Sequence, residues 1–166
     1  MRLEDDVILL RPFAEADVPA IVAACQDPEI PRWTSVPFPY TEADARAWLK
    51  SDEEETFAVI DGTSGELLGS IGMRFPADET GEVGYWVKRE ARGRGVATRA
   101  LVLIARWGFQ ERALAQLQLR AEPGNVASQR VAEKAGFRRE GVQHGALEIK
   151  GERRDVFIYS LRPGEV

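Results

Sequence analysis

The chain has 166 residues, 44% hydrophobic and 30% charged, with a net charge of −5. That length suits one domain with a buried core and leaves no room for a second, and no apolar run approaches the ~20 residues of a membrane span. The acidic balance argues against general nucleic-acid binding, because the clustered arginines are confined to residues 89–99, and such a surface favours cationic partners.

The N-terminal stretch has only a short apolar core directly after Glu4, Asp5 and Asp6, which is wrong for a signal peptide, so a cytoplasmic location is expected. Residues 7–11 form a short apolar strand ending at Pro12. Asp17 is the expected cap of a helix with Val18, Ile21, Val22 and Cys25 on one side, and Pro19 fits its first turn. Cys25, the single cysteine, is read as buried filler and excludes an intramolecular disulfide or a cysteine-based zinc cluster. Pro28, Pro31, Pro37 and Pro39 are spaced too closely for helix or central strand, so residues 27–41 are expected to form a long stiffened loop. Its aromatics Trp33, Phe38 and Tyr40 either line a substrate pocket or fold back onto the core.

Thr41 caps a second helix through Leu49, with Ala45, Trp48 and Leu49 inward, closed by the acidic run at 52–55. Residues 56–61 read as a strand, 62–65 as a tight turn, and 67–75 as a strand with Leu67, Ile71, Met73 and Phe75 sharing a face. After a turn, residues 82–87 alternate Val83, Tyr85 and Val87 against Glu82, Gly84 and Trp86. These hairpin-linked strands predict an antiparallel meander, with parallel pairing arising only after the helix at 97–112.

The stretch VKREARGRGVAT joins the last of those strands to that helix. Gly93 and Gly95 permit positive φ, so successive N–H groups can point at one spot, and the helix N-terminus with Arg92 and Arg94 adds positive charge there. An anion cradle follows. Neither nucleotide motif fits: no G-x-x-x-x-G-K-[ST] is present, GRGVAT has Thr98 in place of the third glycine of G-x-G-x-x-G, and no βαβ unit opens here. Further on, 117–121 is a strand and 126–135 a helix with Asn125 as N-cap, Val131 and Ala135 buried, Gly136 as C-cap and Phe137 in the core. His144, the single histidine, is expected in a loop and gives little basis for a metal site or a Ser-His-Asp triad.

Arg92, Gly95 and Ala97 match the [QR]-x-x-G-x-[GA] pattern of the GNAT superfamily of acyl-CoA N-acyltransferases, and NVASQRVAEKAGF resembles the N-x-x-S…GF segment of the same enzymes. The tail GERRDVFIYSLRP is similar to the closing strand of the Rim-type branch that acetylates ribosomal-protein N-termini and related amines. The resemblance implies a mixed α/β (α+β) fold, a single domain over 1–166, with a mostly antiparallel central sheet, helices on both faces and two strands splayed at the cofactor cleft. It implies acetyl-CoA as cosubstrate, no metal, and an amine acceptor that is a protein N-terminus or a small molecule, in a monomer or homodimer away from membranes and nucleic acid.

Cofactor contacts would fall on Val87, Lys88, Arg92, Gly93, Arg94, Gly95, Val96, Ala97, Thr98, Asn125, Ser128 and Lys134, and acceptor contacts on Trp33, Phe38 and Tyr40. An amine must be neutral to attack the thioester: near neutral pH this costs below about 1 kcal/mol for a peptide α-amine and about 4 for a lysine-type amine, so a base matters more for the second. Glu82 is the candidate base. Many family members carry a tyrosine about four residues before the GF pair to protonate the departing thiolate. That position is Ala132 here, so Ser128 or Tyr159 substitutes or no acid is used; a thiol of pKa near ~8.5 needs little help. Loss of that tyrosine also leaves open a non-catalytic acyl-CoA-binding or sensor domain.

Overall fold

The computed structural model describes residues 3–52 and 54–166; Met1, Arg2 and, within the acidic run at 52–55, Glu53 lie outside the described residues. Eight strands form one sheet in the order β1-β2-β3-β4-β5-β6-β8-β7. They are β1 (Leu3–Glu4), β2 (Ile8–Pro12), β3 (Glu55–Asp61), β4 (Leu67–Ala77), β5 (Thr80–Val87), β6 (Gln116–Ala121), β7 (Arg138–Ile149) and β8 (Glu152–Leu161). Every neighbouring pair is antiparallel except β5 and β6. The expected meander is therefore present as β3-β4-β5.

Helices cover both faces. On one, α4 (Val96–Glu111) and α5 (Val126–Lys134) pack over a core that includes Ile71, Met73, Leu117, Leu119 and Tyr159. The stripe Ala100, Leu101, Ile104, Ala105 and Gly108 recurs at the three- and four-residue spacing that keeps one helix face on the sheet. On the other face, α1 (Val18–Ala24) and α3 (Glu42–Lys50) enclose a second core around Ile21, Ala45, Ile60 and Trp86. The β5 alternation is as expected: Val83 and Tyr85 belong to the α4 side and Trp86 to the α1 side.

Local signals explain most boundaries. The Thr41 hydroxyl accepts from Asp44 N–H at 3.2 Å while the Asp44 carboxylate accepts from Thr41 N–H at 2.9 Å, so α3 starts on a capping box. Asn125 caps α5 by accepting from Ser128 N–H at 3.3 Å, and Gly136 ends it at φ +96. Inside α5 it is Ala132 that is fully buried, with Val131 half-buried beside it.

Four expectations are corrected. Asp17 holds the N-cap position of α1 but its side chain makes no capping bond there; a 3₁₀ turn at Glu15–Asp17 precedes the helix, and the Asp17 carboxylate accepts from Ala14 N–H at 2.8 Å instead. Leu67 does not share a face with Ile71 and Met73: the register jumps from Val59–Gly69 to Ile60–Leu67, and that bulge sends Leu67 to the α1 side and Leu68 to the α4 side. Phe75 is 42% exposed, with the Arg112 guanidinium over its ring. The proline-rich stretch contains a short helix α2 (Glu29–Trp33), which Pro31 tolerates because it lies in the first turn. His144 lies within β7, in the irregular stretch between Gln143 and Leu147 where the register shifts, with Nδ1 3.2 Å from Asp155.

Arg11 and Asp17 lock the end of β2 to the start of α1 through two guanidinium hydrogen bonds of 2.9 Å each. The Arg11 bond and the Ala14 N–H hold the Asp17 carboxyl below its ordinary value of 3.8, against the effect of burial. A lowered folded pKa contributes stability that is full above that ordinary value and lost as pH falls through the folded one. Asp17→Asn is expected to cost roughly 1 kcal/mol at neutral pH, the pair being half-exposed on the arginine side. Urea unfolding at pH values from neutral down to about 2 should show the gap between the two proteins closing in acid.

Candidate functional site

β5 and β6 pair at three positions only, Thr80–Gln116, Gly81–Leu117 and Glu82–Gln118. Beyond Glu82 each strand continues with its outer partner, β5 along β4 to Val87–Gly69 and β6 along β8 to Ala121–Phe157. The two therefore splay, and a cleft of about 1150 Å³ opens between them, lined from β5 through the 91–98 loop to α5 and across to the 29–37 segment and β7. Backbone groups on the inner edge of a splayed strand lack a sheet partner and are open to a ligand.

At the end of β5 the chain passes a 3₁₀ turn at Arg89–Ala91 and enters the glycine loop. Gly93 and Gly95 sit at φ +76 and +75, where other residues are strained, and Gly95 is the N-cap of α4 with no side chain capping the first turn. The first N–H groups of a sixteen-residue helix thus face the cleft beside Val96, Ala97 and Thr98, which line it. Among the expected cofactor residues, Val87, Arg92, Gly93, Gly95, Val96, Ala97, Thr98, Asn125, Ser128 and Lys134 all line the cleft. Lys88 and Arg94 do not; Lys88 pairs with Glu66, and Arg94 lies 3.5 Å from Asp61. Arg92 is partnered too: Nε donates to the Val87 carbonyl at 3.2 Å, and Nη2 lies 2.7 Å from Asp27 Oδ2, an oxygen that makes no aligned hydrogen bond.

Glu82 lies on the cleft wall at the last paired position before the splay, its side chain 14% exposed. Arg74 and Arg120 both approach its Oε1, the latter at 3.0 Å. Ser128 lines the same cleft from the first turn of α5. The structure does not bring Tyr159 to the cleft: it is fully buried in the α4-side core with its hydroxyl 3.5 Å from Glu133, and burial together with that carboxylate raises its pKa. Alternation along β8 puts its ring inward, which a closing-strand position alone could not specify.

The phenol that does reach Ser128 is Tyr85, at 3.2 Å between the hydroxyl oxygens. Burial pushes its pKa up, and the Ser128 hydroxyl acts the other way. Its sequence signal was a tyrosine in an apolar strand leading into the glycine loop, which reads as core.

On the other side of the cleft, Trp33 lines the wall, stacked under the Arg32 guanidinium and lying against Gly124. Tyr40 also borders the cleft but is 6% exposed, held in the α1-side core, while Phe38 projects outside with 53% exposure. Lys150 Nζ donates to the Pro31 carbonyl at 2.9 Å and Arg154 Nη1 to the Arg32 carbonyl at 2.7 Å, so the β7-β8 hairpin satisfies the last carbonyls of α2 and fixes it over the cleft. Cys25, on the same wall, is pushed up to about 12 by burial and stays a thiol. No group of three or more His, Cys, Asp or Glu side chains is placed to hold a metal among the described residues.

The family model described as "Acetyltransferase (GNAT) domain" matches residues 8–138. The chain is 32% identical over 117 residues to the probable N-acetyltransferase YjcK of Bacillus subtilis, spanning 68% of this chain and 64% of that protein. It is 29% identical over 97 residues to the ribosomal-protein-serine acetyltransferase of Escherichia coli, spanning 57% of this chain and 54% of that one. The crystal structure of a GNAT-family acetyltransferase from Bacillus anthracis superposes with a TM-score of 0.88 at 27% identity, covering 99% of this chain and 100% of that one.

Gly95→Val places a β-branched side chain at φ +75. A Cβ there meets no atom within 4 Å, so the penalty is backbone strain, about 1–2 kcal/mol, rather than a clash. Coenzyme A binding measured by titration calorimetry is expected to weaken roughly tenfold or more, with the far-UV spectrum unchanged.

Proposed function

The chain belongs to the GNAT acetyltransferase family, and on that premise we propose that it moves an acetyl group from acetyl-CoA to a primary amine by direct attack on the thioester, the whole of residues 1–166 acting as one catalytic unit. The single observation that supports this most is the splay of β5 from β6 with the uncapped start of α4 at its mouth, since it joins an open strand edge to an anion site. These groups fit the cosubstrate. The N–H groups from Gly93 to Thr98 take the pyrophosphate, and Arg92, released from an ion pair without aligned hydrogen bonds, turns to the same charge. The free edge of β5 up to Val87 bonds the amides of the pantetheine arm, with Asn125 and Ser128 opposite and Lys134 near the adenosine phosphate. Bound in this way, acetyl-CoA supplies the activated acyl group.

Glu82 accepts one proton of the incoming ammonium, directly or through water, and the Ser128 hydroxyl donates a hydrogen bond to the leaving sulfur. A C–N bond forms and the C–S bond breaks; the nitrogen sheds its second proton to solvent as it becomes an amide, and the thiolate takes one from solvent. Arg74 and Arg120 fix the Glu82 carboxylate on the wall. The acceptor enters from the side closed by α2 and β7, where Trp33 and Glu148 line the cleft. Similarity to an enzyme named for ribosomal-protein serine puts peptides with a free N-terminus first among acceptors.

A screen at fixed acetyl-CoA is expected to give CoA release with peptides beginning in serine or alanine, against polyamines and aminoglycosides as alternatives. Acetyl-CoA binding without CoA release for any amine would instead indicate an acyl-CoA-binding domain. With the best acceptor, Glu82→Gln should lower transfer by about a hundredfold to ten-thousandfold near neutral pH and leave acetyl-CoA affinity unchanged. That loss should shrink as pH approaches the acceptor's own pKa, and parental activity in the variant would remove Glu82 from the mechanism.

A further inference from the structure

Tyr85, on the β5 limb of the splay, and Ser128, in the first turn of α5 beyond β6, stand 43 residues apart in sequence, and their hydroxyl oxygens lie 3.2 Å apart. Both line the cleft. Resting on the acetyl-transfer reading, we propose that Tyr85 is a positioning residue: its phenol donates to Ser128 Oγ and so aims the one hydroxyl hydrogen of Ser128 at the departing sulfur.

A serine hydroxyl has one hydrogen and two acceptor positions. On a helix its hydrogen is ordinarily drawn back to a carbonyl of the preceding turn. Of the two hydroxyls the phenol is the more acidic and the more deeply set, packed against the α4-side core, so it acts as the donor of the pair. A bond arriving at Oγ from the β5 limb fixes the serine rotamer, and the remaining hydrogen points away from Tyr85. The backbone under Ser128 is fixed as well, because its N–H is held by Asn125 Oδ1. When the C–S bond breaks, the Ser128 hydroxyl donates a hydrogen bond to the thiolate, a far weaker base than a serine alkoxide, and the sulfur takes its proton from solvent, so neither hydroxyl ionises. Tyr85 keeps its own proton throughout, which agrees with a phenol whose ionisation burial opposes. Ala132, where the family pattern carries a tyrosine, is fully buried four residues after Ser128. The hydroxyl support therefore comes from the facing strand instead of from α5.

The test is a double-mutant cycle of Tyr85→Phe and Ser128→Ala, reading kcat, KM for acetyl-CoA and the Tyr85 titration. Tyr85→Phe keeps the ring and its packing, so the fold survives; kcat should fall roughly tenfold, the worth of one hydrogen bond, with KM for acetyl-CoA within about twofold. In the Ser128→Ala background the same change should do nothing further. Independently of turnover, the ultraviolet titration assigned to Tyr85 by difference from Tyr85→Phe should move to higher pH in Ser128→Ala, which has lost the hydroxyl facing the phenolate. An undiminished kcat loss in the serine-free background, or a titration that does not move, overturns the proposal while leaving acetyl transfer intact. A parent that releases no CoA with any amine overturns both.

Discussion

Pairing between β5 and β6 stops at Glu82 and Gln118, and the rest of the site follows from that interruption. A sheet ordinarily satisfies its backbone groups by continuing the ladder, so two central strands that part must each be held from outside. β4 holds β5 along its full length, so closely that a Cβ on Gly69 would stand 2.3 Å from the Trp86 carbonyl oxygen. β8 holds β6 to its end. Beneath the gap, the buried stripe of α4 is packed against both limbs, so the opening is a feature of a close-packed core and not a slack one.

Much of this was legible because the signals are local. The Thr41 and Asn125 caps, the Gly136 stop, the period of α4 and the alternation of β5 each depend on residues within one turn or one strand, and each stands as expected. The glycine loop was equally plain, since two glycines at positive φ before an apolar helix have few other readings. What escaped were features set by distant partners. The Leu67–Leu68 bulge follows from how β4 meets β3, and β7 was hidden by Gly141, Gly145 and a polar run on an exposed edge. Tyr85 was visible as a strand residue, but its pairing with Ser128 depends on how far the limbs part.

The α2 side of the cleft shows the same division. Four prolines argued for a loop, and most of residues 34–41 are irregular, yet Glu29–Trp33 closes a helical turn because Lys150 and Arg154 supply donors to its carbonyls. Those two residues come from a hairpin more than a hundred positions later. The α2 wall of the cleft is thus assembled from two stretches far apart in the chain, whereas the glycine loop and the start of α4 are one continuous stretch. Specificity on this scaffold can change in the α2 segment or the β7-β8 hairpin without disturbing the cradle.

Charge divides the labour in the cradle. The protein carries −5 overall, and the two loop arginines already face Asp27 and Asp61. Their full charges are therefore partly compensated before any anion arrives, and what each gains by turning to a phosphate is the difference between two carboxylate- or phosphate-paired states. The start of α4 has no such partner, because no side chain caps it. Its dipole and N–H groups carry positive charge fixed in direction by the backbone. On the proposed binding mode, the arginines set how readily the loop lets go of its aspartates, and the helix terminus sets where the anion sits. Only Pro28 separates Asp27 from the start of α2, so on the proposed binding mode an Arg92 that leaves Asp27 for a phosphate also frees one tether of the α2 wall of the cleft.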